Sequence, residues 1–134
     1  LPDDLNEIYR KALAAEQDGI VFKSPAGDRD MSRTYQRARV HLYPGSEREM
    51  YCSTLAESQA VGVPAVARPM GAVKERVIGD KSAFLTDVES DFADHAIRML
   101  SDEEDWTSAS IVARRHGRSR SWDTTASEFE TVFR

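Results

Sequence analysis

The sequence predicts an α/β domain in which a small parallel sheet carries helices on both faces. Short apolar segments with strand character alternate with amphipathic segments of helical period, and this alternation is typical of parallel βαβ units. The chain of 134 residues is 40% hydrophobic and 31% charged, which suits one globular domain over residues 1–134. The apolar segments lie at 20–23, 40–44, 64–67 and 83–86.

A helix is expected at the start of the chain. Pro2, Asp3 and Asp4 favour a helix N-terminus, because proline fits the first helical position and acidic groups favour the positive end of the helix dipole. Apolar residues follow at helical spacing, at Leu5, Ile8, Ala12 and Ala15. The chain begins inside this pattern and without methionine. We therefore expect it to be part of a longer protein and to lack the first βα unit of the fold.

Two strands and two helices are predicted next. The segment 20–23 has strand character, Asp30 is expected to be the N-cap of a short helix, and 40–44 is expected to be a strand that ends in proline. The following helix is expected to begin near Cys52. It should end at 61–62, because glycine suits the left-handed residue after a helix.

The rest of the chain continues the alternation. Strands are predicted at 64–67 and 83–86, with a short helix between them that ends at Gly79. Three helices are expected to close the chain, and Ser101 with Glu104 forms a capping box at the start of one of them. Each of the last two helices is expected to have an apolar face, and both tryptophans are expected to be core residues. These faces consist of Trp106, Ala109 and Val112 in one helix and of Trp122, Ala126, Phe129 and Phe133 in the other.

Composition and charge exclude several classes of function. A net charge of −5 argues against a nucleic-acid partner, because affinity for phosphate backbones rests on clustered Lys and Arg. The basic run Arg114, Arg115, Arg118 and Arg120 is interpreted as a solvated helix end. The single cysteine, Cys52, excludes an internal disulfide and favours a cytoplasmic protein. No apolar run approaches the roughly 20 residues that span a bilayer, so membrane contact is expected only peripherally, through parts outside this chain.

Two glutamates eight positions apart, Glu49 and Glu57, are the first candidates for a site. One continuous helix would separate them by about 80° around its axis and about 12 Å along it, so one of them is expected to lie outside the helix. Glu49 would then lie between a strand end and a helix N-terminus, where parallel sheets bind ligands. The amides of residues 52–54, with the hydroxyls of Ser53 and Thr54, suit a phosphate.

The two carboxylates repel a phosphate, so they are expected to bind something else beside it. Sugar hydroxyls fit, because a carboxylate accepts two hydroxyl hydrogen bonds, and a pyrophosphate at the helix terminus would complete a site for a nucleotide sugar. From spacing alone a second interpretation stays open. In it Glu49 is a solvated loop residue and Glu57 an ordinary surface residue.

Other candidate residues favour structural roles. The stretch 28–30 resembles an Asp-x-Asp metal motif, but Asp30 is better explained as a helix cap. His41 lies within a strand and is expected in the core or on a sheet face. His95 and His116 are expected on helix surfaces. No histidine is accompanied by a matching nucleophile, so hydrolase triads find no support.

The run PGSEREMYCSTLAESQAVGVPAVARPMGAVKERV resembles the donor-side region of the group 1 glycosyltransferases of the GT-B fold. In that family a Glu-x7-Glu motif is followed by a small residue, Gly-x-Pro and a strand. The resemblance extends upstream through IVFKSPAG and TYQRARVHLYPGS, and downstream through GAVKERVIGDKSAFLTD and SWDTTASEFETVF. It covers most of residues 18–133. It implies a Rossmann-like domain, the C-terminal donor-binding half of a GT-B enzyme.

The resemblance also implies roles for individual residues. Glu49 matches the glutamate that contacts the donor sugar near the reacting carbon, the catalytic position, and Glu57 matches the glutamate that holds the ribose hydroxyls. Cys52 stands where a glycine is common, and at a helix start its thiol is expected to be partly accessible and reactive. The donor-binding positions besides Glu57 are Ser53, Thr54, Cys52 and Tyr51, together with Lys23, Ser24 and Pro25, which match the turn that borders the base.

Enzymes of this family generally transfer a sugar from a nucleotide diphosphate with retention at the anomeric carbon and without a bound metal. The resemblance therefore implies a nucleotide sugar as donor and no cofactor. The acceptor, a glycan, a lipid or a small molecule, is expected to bind an N-terminal domain that lies outside this chain. The basic pair that stabilises the leaving diphosphate in the family is also expected to lie outside this chain. Two alternatives stay open: a sugar-nucleotide epimerase of the GT-B type, and a non-catalytic module that binds nucleotide sugars.

Overall fold

The sheet has three parallel strands in the order β1-β2-β3. The computed structural model describes residues 3–15, 18–119 and 121–133. The strands are β1 His41–Tyr43, β2 Ala65–Ala67 and β3 Ala83–Leu85. His41 pairs with Ala65 and Ala65 pairs with Ala83, so the three strands end level with one another. The α/β class and three of the four predicted strands are confirmed.

Helices connect and flank these strands. They are α1 Asp3–Ala14, α2 Asp28–Arg37, α3 Ser53–Ala60, α4 Val73–Arg76, α5 Glu89–Ser101, α6 Glu103–Arg118 and α7 Trp122–Val132. The expected first helix and the helix from Cys52 to 61–62 are confirmed, although Pro2 lies outside the described residues. The short helix α4 ends at Arg76 and not at Gly79. Within the described ranges, no helix combines the length and the apolar character needed to cross a bilayer.

The predicted strand at 20–23 is absent. Residues 20–27 have no regular secondary structure, and the rings of Phe22 and of Tyr9 in α1 pack edge to face, with centroids 5.5 Å apart. An extended segment becomes a strand only when its N–H and C=O groups form hydrogen bonds with a neighbouring strand. The part of the chain that the structure describes places no strand beside this segment, so its apolar pattern alone cannot make one.

The core lies around the central strand. All of β2 is buried, as expected for a strand between two parallel neighbours. Leu55 of α3 and Val73 of α4 pack onto it together with Cys52, Val77 and Ala83. This cluster lies directly under the start of α3, so the position of that helix end is fixed by buried apolar contacts.

Two predicted helix caps are wrong, by three residues at α2 and by one residue at α6. α2 begins at Asp28 after Gly27, and the Asp30 carboxylate pairs with Arg33 instead of capping the helix. At the start of α6 the cap is Asp102, whose carboxylate accepts the Asp105 amide at 2.9 Å. Ser101 cannot serve there because it still belongs to α5 and its hydroxyl donates to a carbonyl of that helix.

α3 and α6 pack closely against each other. A Cβ atom built on Gly117 would come within 2.4 Å of the Ala60 amide nitrogen, so only glycine fits this crossing. Arg114 and Arg118 donate to the carbonyls of Val61 and Ala60 at 3.1 and 3.0 Å. The interpretation of the basic run as a merely solvated helix end was therefore incomplete, because these two arginines satisfy the C-terminal carbonyls of α3. Arg120 lies outside the described residues.

The last helix was expected to bury an apolar face, but the described residues leave that face exposed. Trp122 is 84% exposed, Phe129 62% and Phe133 80%. Helical spacing places these residues on one face, but it does not supply a surface to cover that face. Trp106 in α6 is half-buried, and its indole N–H donates to the Arg39 carbonyl at 2.7 Å.

Candidate functional site

The candidate site lies beyond the carboxyl end of β1, where the segment 44–52 leads into α3. α3 begins at Ser53, so Glu49 precedes the helix and Glu57 lies within it, as the spacing predicted. Parallel sheets bind ligands at this end, and the first amides of α3 are without acceptors inside the helix. Glu49 therefore lies in the strand-to-helix connection, and Glu57 lies in the helix that follows it.

The Glu49 carboxylate is held on both of its oxygens. Oε2 accepts a short hydrogen bond from the Tyr43 hydroxyl, and Oε1 accepts the Cys52 amide at 2.7 Å and the Tyr51 amide at 3.3 Å. The bond from Tyr43, and then the two amides, lower the pKa of Glu49 below its ordinary value. The same bond raises the pKa of Tyr43. The site thus presents a fixed, ionised carboxylate directly before a helix N-terminus.

The backbone of Glu49 is fixed by the turn that precedes α4. The Ala72 amide donates to the Glu49 carbonyl at 2.9 Å. Gly71 has φ of +51°, and a Cβ atom there would lie 2.3 Å from the Glu49 carbonyl oxygen. Both the dihedral angle and the close approach require glycine. Sequence reasoning missed Gly71, although a glycine just before a short helix was the available signal.

Cys52 adopts a left-handed conformation, with φ of 56° and ψ of 56°. A side chain in this conformation costs about 1 to 2 kcal/mol, which agrees with the glycine that the resemblance implies at this position. The side chain is 1% exposed, and burial raises the pKa of its thiol. The expectation of a partly accessible, reactive thiol is therefore wrong, because the left-handed turn directs the side chain into the core below α3.

The Cys52 thiol is expected to react slowly with an aromatic disulfide reagent in the folded protein and quickly once the protein is unfolded. Reaction from the folded state requires a local opening that exposes the core under α3. Rates measured with and without denaturant, with the label located by mass spectrometry and glutathione as the reference thiol, check this. Equal rates in both states would contradict the buried position.

The first turn of α3 offers two amides to a ligand. The Cys52 amide is already used by Glu49, whereas the amides of Ser53 and Thr54 have no acceptor within the helix. Ser53 is exposed and Thr54 is half-buried. The structure therefore narrows the predicted phosphate-binding amides from residues 52–54 to these two.

Arg76 is a cation beside the site that sequence reasoning missed. It extends from α4, and its Nε donates to the Tyr51 carbonyl at 2.5 Å. Its guanidinium lies 3.8 Å from the centroid of the Tyr51 ring. Tyr51, a predicted donor-binding residue, is thus stacked under a cation and remains 55% exposed. Two cavities border this pair. One, of about 50 Å³, lies on the side of Glu75. The other, of about 470 Å³, lies on the side of Trp122 and is within the roughly 300 to 1,000 Å³ of typical ligand pockets.

Glu57 lies on the exposed surface of α3, near α2. Its side chain takes no hydrogen bond or ion pair from the described residues, and its charge helps to raise the pKa of Tyr35, after the larger effect of burial. An exposed carboxylate without partners is free to accept hydroxyl groups from a ligand. Glu57 therefore has the exposure that a ligand-binding carboxylate needs.

The residues predicted to border the base are not brought to the site. Lys23, Ser24 and Pro25 are exposed in the irregular segment 20–27, and no described hydrogen bond or ion pair links them to α3. The cause is the missing strand pairing described above, because only a paired strand would fix this turn at the carboxyl edge of the sheet. Their role stays a prediction.

His41 has a structural position, as expected. Its Nδ1 lies 2.8 Å from the Ser58 hydroxyl, and its ring packs between Tyr35 and Tyr43. Burial lowers the pKa of His41 to about 4, so the ring is neutral near pH 7. Among the described residues, no group of three or more His, Cys, Asp or Glu side chains is placed to hold a metal ion.

Comparison with known proteins identifies the family. The model of the family "Glycosyl transferases group 1" matches residues 2–116. Three proteins with the name D-inositol 3-phosphate glycosyltransferase are similar over 98% of this chain. The protein of Thermomonospora curvata is 29% identical, and the match covers 30% of that protein's length. For Corynebacterium efficiens the identity is 28% and the match covers 32% of the protein, and for Streptomyces avermitilis the identity is 30% and the match covers 28%. This chain thus spans about a third of the length of these relatives, and it belongs to the group 1 glycosyl transferases.

Proposed function

We propose that this chain binds a nucleotide sugar donor, as part of an enzyme that transfers the sugar to an acceptor with retention at the anomeric carbon. The observation that supports this most is the Glu49 carboxylate. It is ionised and held by three hydrogen bonds at the entrance to α3, where a donor diphosphate would lie. A solvated loop glutamate would not need this arrangement.

The diphosphate would bind the start of α3. The free amides of Ser53 and Thr54 and the positive end of the helix dipole favour an anion there. Arg76 supplies a positive charge on the neighbouring α4. This charge offsets the repulsion between Glu49 and a phosphate, and it stabilises the negative charge that develops on the leaving diphosphate.

The sugar and the ribose would bind the two glutamates. Glu49 faces the sugar at the reacting carbon, where positive charge develops as the bond to the phosphate breaks, and a fixed carboxylate stabilises that charge. Glu57, exposed on the next turns of α3, accepts the ribose hydroxyls. The acceptor would bind a part of the protein outside this chain. The names of the relatives make inositol 3-phosphate the first acceptor to test.

Calorimetric titration of the complete protein that carries this chain tests the proposal. UDP-glucose, UDP-N-acetylglucosamine, GDP-mannose and ADP-glucose are titrated alongside UDP, GDP and ADP. We expect micromolar binding of one nucleotide type, and release of its diphosphate only when an acceptor such as inositol 3-phosphate is added. Binding of none of these compounds would contradict the proposal.

The same experiment separates the two alternatives. An epimerase would change the configuration of the donor sugar without any acceptor, which analysis of the recovered nucleotide sugar detects. A non-catalytic module would bind the donor and release nothing. The geometry favours transfer over epimerisation, because the site has a single fixed carboxylate and its nearby histidine, His41, is half-buried and neutral.

A further inference from the structure

Tyr43 makes a contact for which the sequence gives no hint. It is the last residue of β1, and its hydroxyl donates to Oε2 of Glu49, six residues further along the chain. Sequence reasoning treated Tyr43 only as part of a strand. Its side chain is half-buried against the core cluster under α3, so its ring is held by packing as well as by this bond.

Hydrogen bonding at Glu49 leaves little freedom for the carboxylate. An ionised carboxylate has about four acceptor positions, two on each oxygen. The amides of Cys52 and Tyr51 take both positions on Oε1, and Tyr43 takes one on Oε2. One acceptor position remains, on Oε2. Tyr43 therefore decides in which direction this last position points.

The support behind Tyr43 is rigid. The Tyr43 carbonyl accepts the Arg68 amide at 3.1 Å, and Tyr43 pairs with Ala67 in the fully buried strand β2. Glu49, in contrast, lies in a connection without regular structure. A hydrogen bond from the sheet to the loop fixes the loop carboxylate relative to the core, and accurate orientation of a reacting group requires such support.

We propose that Tyr43 is a positioning residue, which orients the Glu49 carboxylate toward the donor sugar. This inference rests on the proposed function, because it assigns Glu49 to the sugar. Tyr43 itself need not touch the substrate. Its hydroxyl acts through Glu49, so its removal changes the rate of transfer while leaving the diphosphate site at Ser53 and Thr54 intact.

The test is a double-mutant cycle in the complete protein, with the panel nucleotide sugar that binds in the titration above as the donor. Tyr43→Phe keeps the ring and removes the hydroxyl. We expect kcat to fall about 10-fold, the lower end of the cost of one hydrogen bond to a charged group, with KM for the donor and affinity for the bare diphosphate hardly changed. In a Glu49→Ala background the same substitution is expected to change kcat less than about 2-fold.

Tyr9→Phe is the matched control. It removes the hydroxyl of a half-exposed tyrosine in α1 that packs on Phe22, outside the site, and is expected to leave kcat unchanged. Melting temperatures are measured for every variant. If Glu49→Ala does not fold, Glu49→Gln replaces it in the cycle, and the effect of Tyr43→Phe should again shrink, because the amide accepts only a neutral hydrogen bond.

The outcomes separate the inference from the proposed function. Normal kcat in Tyr43→Phe, or the same loss with and without the Glu49 carboxylate, overturns the positioning role alone. Normal kcat in Glu49→Ala overturns the assignment of Glu49 to the sugar, and the positioning role with it. A loss in Tyr43→Phe that disappears in the Glu49→Ala background supports both.

Discussion

Glu57→Gln is expected to weaken binding of the bare nucleoside diphosphate about 10- to 150-fold in the complete protein. Glutamine keeps the shape of the side chain but replaces a charged acceptor with a neutral amide, and hydrogen bonds to a charged group contribute roughly 1.5 to 3 kcal/mol each. Glu57 is exposed and has no partner among the described residues, so its carboxylate is available to a ribose diol. Calorimetric titration with the diphosphate measures the change directly.

The control for this variant is Glu104→Gln, which makes the same change at an exposed glutamate in the first turn of α6. It should bind the diphosphate like the wild type. Both variants should keep the far-ultraviolet circular dichroism of the wild type, because neither side chain is buried. If the Glu57 variant keeps its fold and its full affinity, the ribose hydroxyls bind elsewhere.

The placement of the two glutamates could be predicted from the sequence, because it depends on local signals. A strand ending in proline, a helix start near Cys52 and the geometry of a helical turn suffice to separate Glu49 from Glu57. The residues that give Glu49 its environment could not be predicted in this way. Tyr43 reaches the site from β1, whereas Gly71 and Arg76 reach it from the segment of α4, and only the folded sheet brings these two parts of the chain together.

Two errors have the same physical origin. The segment 20–23 and the face of α7 both have the apolar pattern of their predicted roles, yet neither is paired or covered by the described residues. Periodicity reports which side chains share a face, while pairing and burial depend on what lies opposite. The prediction that Cys52 is accessible was wrong for a different reason. Its place at the helix start was correct, but its left-handed backbone turns the thiol into the core.

Glu49→Gln is expected to lower kcat by a factor on the order of 100. Removal of one preorganised electrostatic contact has an effect of this size in other enzymes. The negative charge that faces the reacting carbon is lost. The amide group can also supply only one oxygen, so either the Tyr43 hydroxyl or the amides of Cys52 and Tyr51 lose their acceptor. Affinity for the bare diphosphate should stay within about 3-fold, because the amides of Ser53 and Thr54 are untouched.

The contrast between the two glutamate variants is the decisive measurement, since each removes one negative charge, Glu49 just before α3 and Glu57 within it. A general loss of stability or of local charge would change diphosphate affinity and kcat in parallel in both. Separate roles predict opposite patterns: Glu57→Gln loses diphosphate affinity, and Glu49→Gln loses kcat. If Glu49→Gln instead weakened diphosphate binding as strongly as it lowered kcat, its carboxylate would act mainly as the cap that orders the start of α3, and the sugar contact would have to come from another residue.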